Sequence, residues 1–353
     1  MTLGETIRSI GPRNRQAEQA ARVRWDSIAK PLGSLGLLED AVAQIAGITG
    51  SPNVDLSKRC VAIFCADNGV VAQGVTQSGQ EVTAIVAENF TKGKTSVCAM
   101  ARAAHADVVP VDIGIAREMR APGLLGRKVR LGTADLTQGP AMTREETVQA
   151  LEAGISLAGE LKVQGYQIAA TGEMGIGNTT TSSAVTSVLL GVEPETVTGR
   201  GAGLDGAGLR RKISAIKTGI SVNRPDPADP VDVLAKVGGL DIAGIAGFFL
   251  GSAAVGLPAV IDGFISAAAA LAAVRLCPVV GEYLLASHVS AEPAGRMLLD
   301  ALGLSPMITA GMCLGEGTGA VALFPLLDMG LAVYREMSTF SDVEIEAYTR
   351  FES

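Results

Sequence analysis

Two segments of this chain carry residue types suited to chemistry: Leu314-Gly315-Glu316-Gly317-Thr318-Gly319, and Gly172-Glu173-Met174-Gly175-Ile176-Gly177-Asn178-Thr179-Thr180-Thr181. A carboxylate set in apolar surroundings has its pKa lifted toward neutrality, which would equip Glu316 as a general base; an exposed loop acid would be spelled the same way. In the second segment the glycines let backbone amides turn inward, and the helix that follows adds N–H groups and a favourable dipole. Such a loop suits an anion, for instance a phosphate. The same residues also suit a threonine-rich helix cap behind a tight turn. Further on, Gly199-Arg200-Gly201-Ala202-Gly203 leads into a helix carrying Arg210, Arg211 and Lys212. Those cations would either reach the same anion or form a solvated helical face.

The elements that must position these residues can be read from periodicity. Short apolar runs alternate with Ala-rich helical stretches from residue 60 onward, giving candidate strands at Cys60–Ala66, Asp107–Ile113, Lys128–Leu131, Gln167–Thr171, Ala259–Asp262, Tyr283–Ser287 and Met307–Met312. This alternation predicts an α/β fold: a three-layer, Rossmann-like, mostly parallel sheet with helices on both faces. Ligands of such sheets bind beyond the carboxyl ends of the strands. The junctions there read Ala66-Asp67-Asn68-Gly69, Asp112-Ile113-Gly114, Thr171-Gly172-Glu173, Ile261-Asp262-Gly263 and Ser287-His288, so acids, hydroxyls and bare backbone converge on one crest. Helical spacing over Ile7–Ile28, Leu35–Ile48 and Pro325–Met337 adds a small all-helical domain drawn from both ends of the chain, 1–54 and 326–353, beside a large catalytic domain of 55–325.

Composition excludes several functions. With 29 basic against 36 acidic residues and a net charge of -7, no basic surplus exists to neutralise a nucleic-acid backbone. Aromatic residues are only 4% of the chain, with Trp25 the single tryptophan, so stacking platforms for exposed bases are scarce. The five cysteines are scattered without CxxC spacing and read as reduced thiols of a cytoplasmic protein; the two histidines, His105 and His288, make no metal motif. The N-terminus lacks the apolar core of a signal peptide. Twenty uncharged residues from Ile242 to Ile261 are long enough to cross a membrane, but Gly244, Gly247, Gly251, Gly256 and Leu257-Pro258 favour a buried helix over 241–255, a turn, and a strand over 258–262. Gly93-Lys94-Thr95 lacks the first glycine that a phosphate-binding loop requires, and no GxGxxG follows the first strand.

Taken together, KPLGSLGLLE (30–39), CADNGVVAQGV (65–75), VTAI (82–85), VDIGI (111–115), GEMGIGNTT (172–180), GRGAGLD (199–205), KVGGLDIAGIAG (236–247), GLPAVIDGFIS (256–266), SHVSAE (287–292) and LGEGTGA (314–320) run in the order found in one family. The chain resembles the nicotinate-nucleotide dimethylbenzimidazole phosphoribosyltransferases, which make the lower-ligand nucleotide of cobalamin. The resemblance implies transfer of phosphoribose from nicotinate mononucleotide to 5,6-dimethylbenzimidazole, giving α-ribazole 5'-phosphate and nicotinate. It implies no cofactor and no metal, because the pyridinium is already a good leaving group, and it implies a homodimer.

Carried over position by position, the resemblance makes Glu316 the base and puts Gly175, Gly177, Asn178, Thr179 and Lys212 around the phosphate, with Gly201 and Ser290 nearby. Glu173, Asp262 and Gly263 fall where ribose or either base would be contacted. Ser78, Val86, Met174 and Leu314 would line the benzimidazole slot. The chain departs from the family's usual pattern at Leu32, Leu37, Asn68, Gly79-Gln80-Glu81 and Val86. These departures leave the acceptor open to another benzimidazole, adenine or a phenol; a nucleotide-binding protein without catalysis is the alternative of a different class.

Overall fold

β1 (Arg59–Ala66) is buried at every position, as a strand covered on both faces must be, and its successive side chains divide the core in two. In the computed structural model, which describes residues 1–349, helices α1 (Leu3–Ser9), α2 (Arg15–Ser27) and α3 (Leu37–Thr49) precede this strand. After it come α4 (Glu81–Thr91), α5 (Ser96–Ala103), β2 (Asp107–Gly114), β3 (Leu125–Gly126), α6 (Arg144–Val163) and β4 (Ile168–Met174). A run of helices follows: α7 (Asn178–Leu190), α8 (Pro194–Val197), α9 (Gly206–Asn223), α10 (Pro230–Val237) and α11 (Leu240–Val255). The chain then forms β5 (Ala259–Ile261), α12 (Phe264–Leu276), β6 (Leu284–Ala286), α13 (Gly295–Leu302) and α14 (Thr318–Glu336).

The six strands form one sheet in the order β3-β2-β1-β4-β5-β6, and every pairing is parallel. This is the doubly wound order, with its switch point between β1 and β4. Cys60, Ala62 and Phe64 face a buried cluster built with α6, α7, α11 and α12, whereas Val61, Ile63 and Cys65 face a second cluster built with α2, α3, α4, α5 and α14. Three layers result, as the alternation of elements predicts.

The uncharged run that could have crossed a membrane is instead α11, buried along nearly its whole length, followed by β5; among the described residues no helix is long and apolar enough to cross a membrane. Its glycines are there for close packing. A Cβ at Gly247 would stand 1.9 Å from the Leu151 carbonyl oxygen of α6, and one at Gly154 of α6 would stand 2.0 Å from the Gly244 carbonyl oxygen. Small residues on both helices let the two backbones touch, an approach that larger side chains would prevent.

Four expectations shift. The helix over Ile7–Ile28 is two helices, because Gly11-Pro12 lies where it would have to continue. The edge strand is Leu125–Gly126, not Lys128–Leu131; the Lys128 ammonium instead bonds the Ile115 and Arg117 carbonyls at 2.6 and 2.7 Å and pins a loop. Met307–Met312 is irregular: it gives one isolated bridge, His288 to Ile308, and backbone bonds to Ser287, Val289 and Ala291. The C-terminal helix starts at Thr318, with Pro325 inside it rather than at its start.

Candidate functional site

The carboxyl ends of β4, β5 and β6 open into a cavity of about 250 Å³, at the small end for ligand pockets. Its wall contains Ser78, Glu173, Met174, Gly175, Gly177, Asn178, Thr179, Gly201, Asp262, Gly263, Ser290, Leu314 and Glu316. These come from separated stretches of the chain. Two residues expected here do not reach the wall: Lys212 is fully buried behind it, and Val86 packs from α4 against the cluster beneath the sheet.

β4 runs into the loop that precedes α7, and Gly177, with φ +95°, forms the helix cap without any side-chain bond. A threonine-rich cap is thereby ruled out; Thr180 and Thr181 lie buried within the first turn. The N-terminus of α7 thus lines the cavity with Gly177, Asn178 and Thr179, and the positive end of a helix attracts a phosphate. Lys212 donates from behind to Thr179 Oγ1 at 2.8 Å and to the Gly199 carbonyl at 3.1 Å. Its charge therefore stands one hydroxyl away from the cavity. Burial lowers its pKa to about 8, against the pull of Glu292. Gly201, at φ +53°, brings its loop so near that a Cβ would lie 2.8 Å from Thr179 Oγ1. Arg210 and Arg211 are exposed, so the solvated face belongs to them and not to Lys212.

Carboxylates dominate the other end. Burial pushes the Glu173 pKa up to about 8, and the nearby Asp241 charge adds to the rise. Asn178 Nδ2 donates to both acids, to Glu173 Oε2 and to Asp241 Oδ2, so one amide separates two buried carboxyls. Asp241 is itself raised to about 6 by burial. Asp262 accepts from the Gly317 amide at 3.1 Å and the Ala320 amide at 2.9 Å, and burial raises it to about 7.

Glu316 occupies the left-handed region at φ +61° between two glycines, Gly315 at +88° and Gly317 at +89°. Such a backbone is costly for a residue with a Cβ and persists only where its surroundings hold it. The glutamate is half-buried, which raises its pKa, while the Val97 and Ser96 amides at the start of α5 pull it back; Val97 N donates to Oε2 at 3.1 Å. An acid raised in this way is more basic than one in water, which suits a general base.

Sequence reasoning gives no site role to the wall residues Phe264, Ser266, Glu292 and Cys313, and marks Arg200 and His288 only by their loop and crest positions. His288, whose Nδ1 lies 3.0 Å from Ser287 Oγ, ends β6 as the crest pattern suggests, and burial lowers its pKa. Asp241 had only its place after Gly238-Gly239 to mark it.

Comparison with known proteins places this geometry. A phosphoribosyltransferase family model matches residues 10–345. The nicotinate-nucleotide–dimethylbenzimidazole phosphoribosyltransferase of Ruminiclostridium cellulolyticum is 50% identical over 352 residues, covering 100% of both chains. The protein of the same name from Acetivibrio thermocellus is 50% identical over 346 residues, 98% of this chain and 99% of the other. The crystal structure of CobT from Thermus thermophilus superposes with a TM-score of 0.89 at 42% identity, covering 94% of this chain and 99% of that one.

Proposed function

Since the chain belongs to the nicotinate-nucleotide–dimethylbenzimidazole phosphoribosyltransferase family, the reaction is set, and we propose that its cleft performs that reaction with Glu316 as the general base. The enzyme moves phosphoribose from nicotinate mononucleotide to 5,6-dimethylbenzimidazole and releases nicotinate, a step of cobalamin biosynthesis. The unprotonated ring nitrogen of the acceptor attacks the anomeric carbon, and the bond to the pyridinium breaks with its electron pair left on nicotinate. The acceptor then carries a proton too many. Glu316 takes it from the second ring nitrogen.

The observation that carries this reading is the shared wall: Glu316 lines the same cavity as the glycine loop at the start of α7. In our reading Gly175, Gly177, Asn178 and Thr179 hold the phosphate, with Gly201 and Ser290 beside them and Lys212 supplying charge through the Thr179 hydroxyl. Ser78, Met174 and Leu314 face the acceptor, and Glu173 and Gly263 the ribose or a base. Val86, on α4, stands back from the wall and packs against the cluster beneath the sheet. Whether the preferred acceptor is dimethylbenzimidazole, another benzimidazole, adenine or a phenol is set by this side of the cleft. The same reading takes 55–325 as the catalytic unit and 1–54 with 326–353 as a small second unit; the packing of α3 on α2 and α14 supports the grouping, while α14 crosses the boundary at 325 and packs on the sheet as well. It also takes the enzyme as a cytoplasmic homodimer; free thiols at all five cysteines support the compartment.

The test supplies nicotinate mononucleotide with paired acceptors and follows nicotinate and α-ribazole phosphate by chromatography. Glu316→Gln is expected to lower kcat by about a hundredfold or more, the scale of a positioned general base. A wild-type rate in that variant would remove Glu316 from the chemistry. Binding of the mononucleotide with no consumption under any acceptor would remove the reaction itself.

A further inference from the structure

Asp262 follows β5 at the crest, where a substrate contact is expected, yet both of its carboxylate oxygens are already engaged. Oδ2 accepts from the Gly317 amide at 3.1 Å and Oδ1 from the Ala320 amide at 2.9 Å. Those amides belong to the first turn of α14, whose glycine cap has no side-chain partner of its own. Asp262 therefore caps a helix whose N-cap, Gly317, stands 55 residues later in the chain.

Asp262 is also held along its backbone. Its amide donates to Ser266 Oγ at 3.3 Å, and its carbonyl accepts from Ser287 Oγ at 3.2 Å. Ser266 Oγ lies 2.6 Å from Thr171 Oγ1, so α12, the residue after β6 and, through Ser266, β4 hold this one residue. On the far side of the contact lies Gly317, the neighbour of Glu316 in a run of three left-handed residues. From β4, Gly172 completes the seat: a Cβ there would be 2.5 Å from the Glu316 carbonyl oxygen.

We propose that Asp262 is a positioning residue that clamps the Gly317 and Ala320 amides, locks the Gly315–Gly317 turn and keeps the Glu316 carboxylate at the start of α5 and in the cleft. The proposal rests on the reading of Glu316 as the base. It differs from a substrate-binding role in what it perturbs: proton removal rather than binding.

Asp262→Asn tests it with little change of volume, because the amide oxygen can serve one of the two N–H groups while its own NH2 confronts the other. Expected results are a fall in kcat of roughly ten- to a hundredfold, part of the general-base factor, with the KM for nicotinate mononucleotide unchanged within about threefold. The Val97 amide, which reports where the Glu316 carboxylate sits, should exchange its hydrogen faster. Combined with Glu316→Gln, the substitution should cost no further rate, since a residue acting only through Glu316 has nothing left to position. Asp262→Ala, removing both acceptors, should show the same pattern more strongly; if it does not fold, the Asn variant decides.

A raised KM with kcat preserved would overturn the proposal in favour of a substrate contact. So would additive losses in the double variant, or an unchanged Val97 exchange rate. Should Glu316→Gln alone keep the wild-type rate, the base assignment fails, while Val97 exchange in Asp262→Asn still decides whether Asp262 holds the glutamate in place.

Discussion

Lys212 carries the most discriminating prediction, because a buried ammonium must change its protonation when an anion arrives. Burial lowers its pKa from 10.5 to about 8, and it is separated from the cavity by the Thr179 hydroxyl. A phosphate bonded to the far side of that hydroxyl would stand roughly 5 Å away, two hydrogen bonds in series. At an effective dielectric of about 20, a unit charge at that distance contributes about 3 kcal/mol, on the order of two pKa units. Lys212 is then mostly neutral in the free enzyme at pH 9 and mostly protonated in the complex. Binding of nicotinate mononucleotide at pH 9 should take up roughly 0.8 proton per site, and below about 0.1 at pH 7. The ligand's own phosphate, with its second pKa near 6, contributes nothing at pH 9. Titration calorimetry in two buffers of different ionisation enthalpy measures the uptake directly. Lys212→Met should abolish it and weaken binding at pH 7 by roughly ten- to a hundredfold, the range of a charge-assisted hydrogen bond. The same substitution should leave the free protein as stable as before or more so. A lysine whose folded pKa lies below its unfolded one destabilises the fold at all pH below about 8, here by about 3 kcal/mol, and the penalty lifts between pH 8 and 10.5. No proton uptake at pH 9 in the wild type, or equal uptake in the Met variant, would refute the placement of the phosphate beside Thr179.

Two further expectations follow from other parts of the molecule. Glu173 has a folded pKa of about 8 against an ordinary 4.5, so the folded protein binds a proton that the unfolded chain releases between those values; stability is greatest below that window and declines as pH rises through it. Thermal midpoints across pH 5 to 8 should therefore fall less steeply in Glu173→Gln than in the wild type, and parallel profiles would show that the carboxyl is ionised throughout. Gly247→Ala puts a methyl 1.9 Å from the Leu151 carbonyl oxygen and must push α11 from α6, which should cost about 3 kcal/mol in denaturant unfolding. A loss under about 1 kcal/mol would mean that the two helices separate easily.

What could be read from the residues, and what could not, divides along the range of the interactions concerned. β1, β2, β4, β5 and β6 were legible because strands buried on both faces are spelled as continuous apolar runs, as in Cys60–Ala66. β3 was misplaced because a two-residue edge strand has no pattern, and Lys128, which looked like its start, serves carbonyls of a loop instead. Met307–Met312 has the composition of a strand, yet it joins the sheet's edge through one isolated bridge. Lys212 sits among arginines that are exposed, so its neighbours gave no sign that this one cation is buried.

The site shows the same division at finer grain. Glu316 could be named because glycine on either side is a local signal, and those glycines prove to be the flanks of a left-handed turn. The place of its carboxylate depends on contacts that no local pattern records: the Val97 amide 219 residues away, the bond from the Gly317 amide to Asp262, and the absence of a Cβ at Gly172. Asp262 illustrates the consequence. Its position after β5 marks it as part of the crest, but its bonds to two amides at the start of α14 leave no trace in the local sequence. The crest thus holds acids in two settings: Glu316 accepts from the amide of Val97 on α5, and Asp262 from the Gly317 and Ala320 amides, while both line the cavity. A single aspartate at the end of β5 therefore links the sheet, the C-terminal helix and the Gly315–Gly317 turn, and under the proposed mechanism a substitution there should change where Glu316 points before it changes substrate binding.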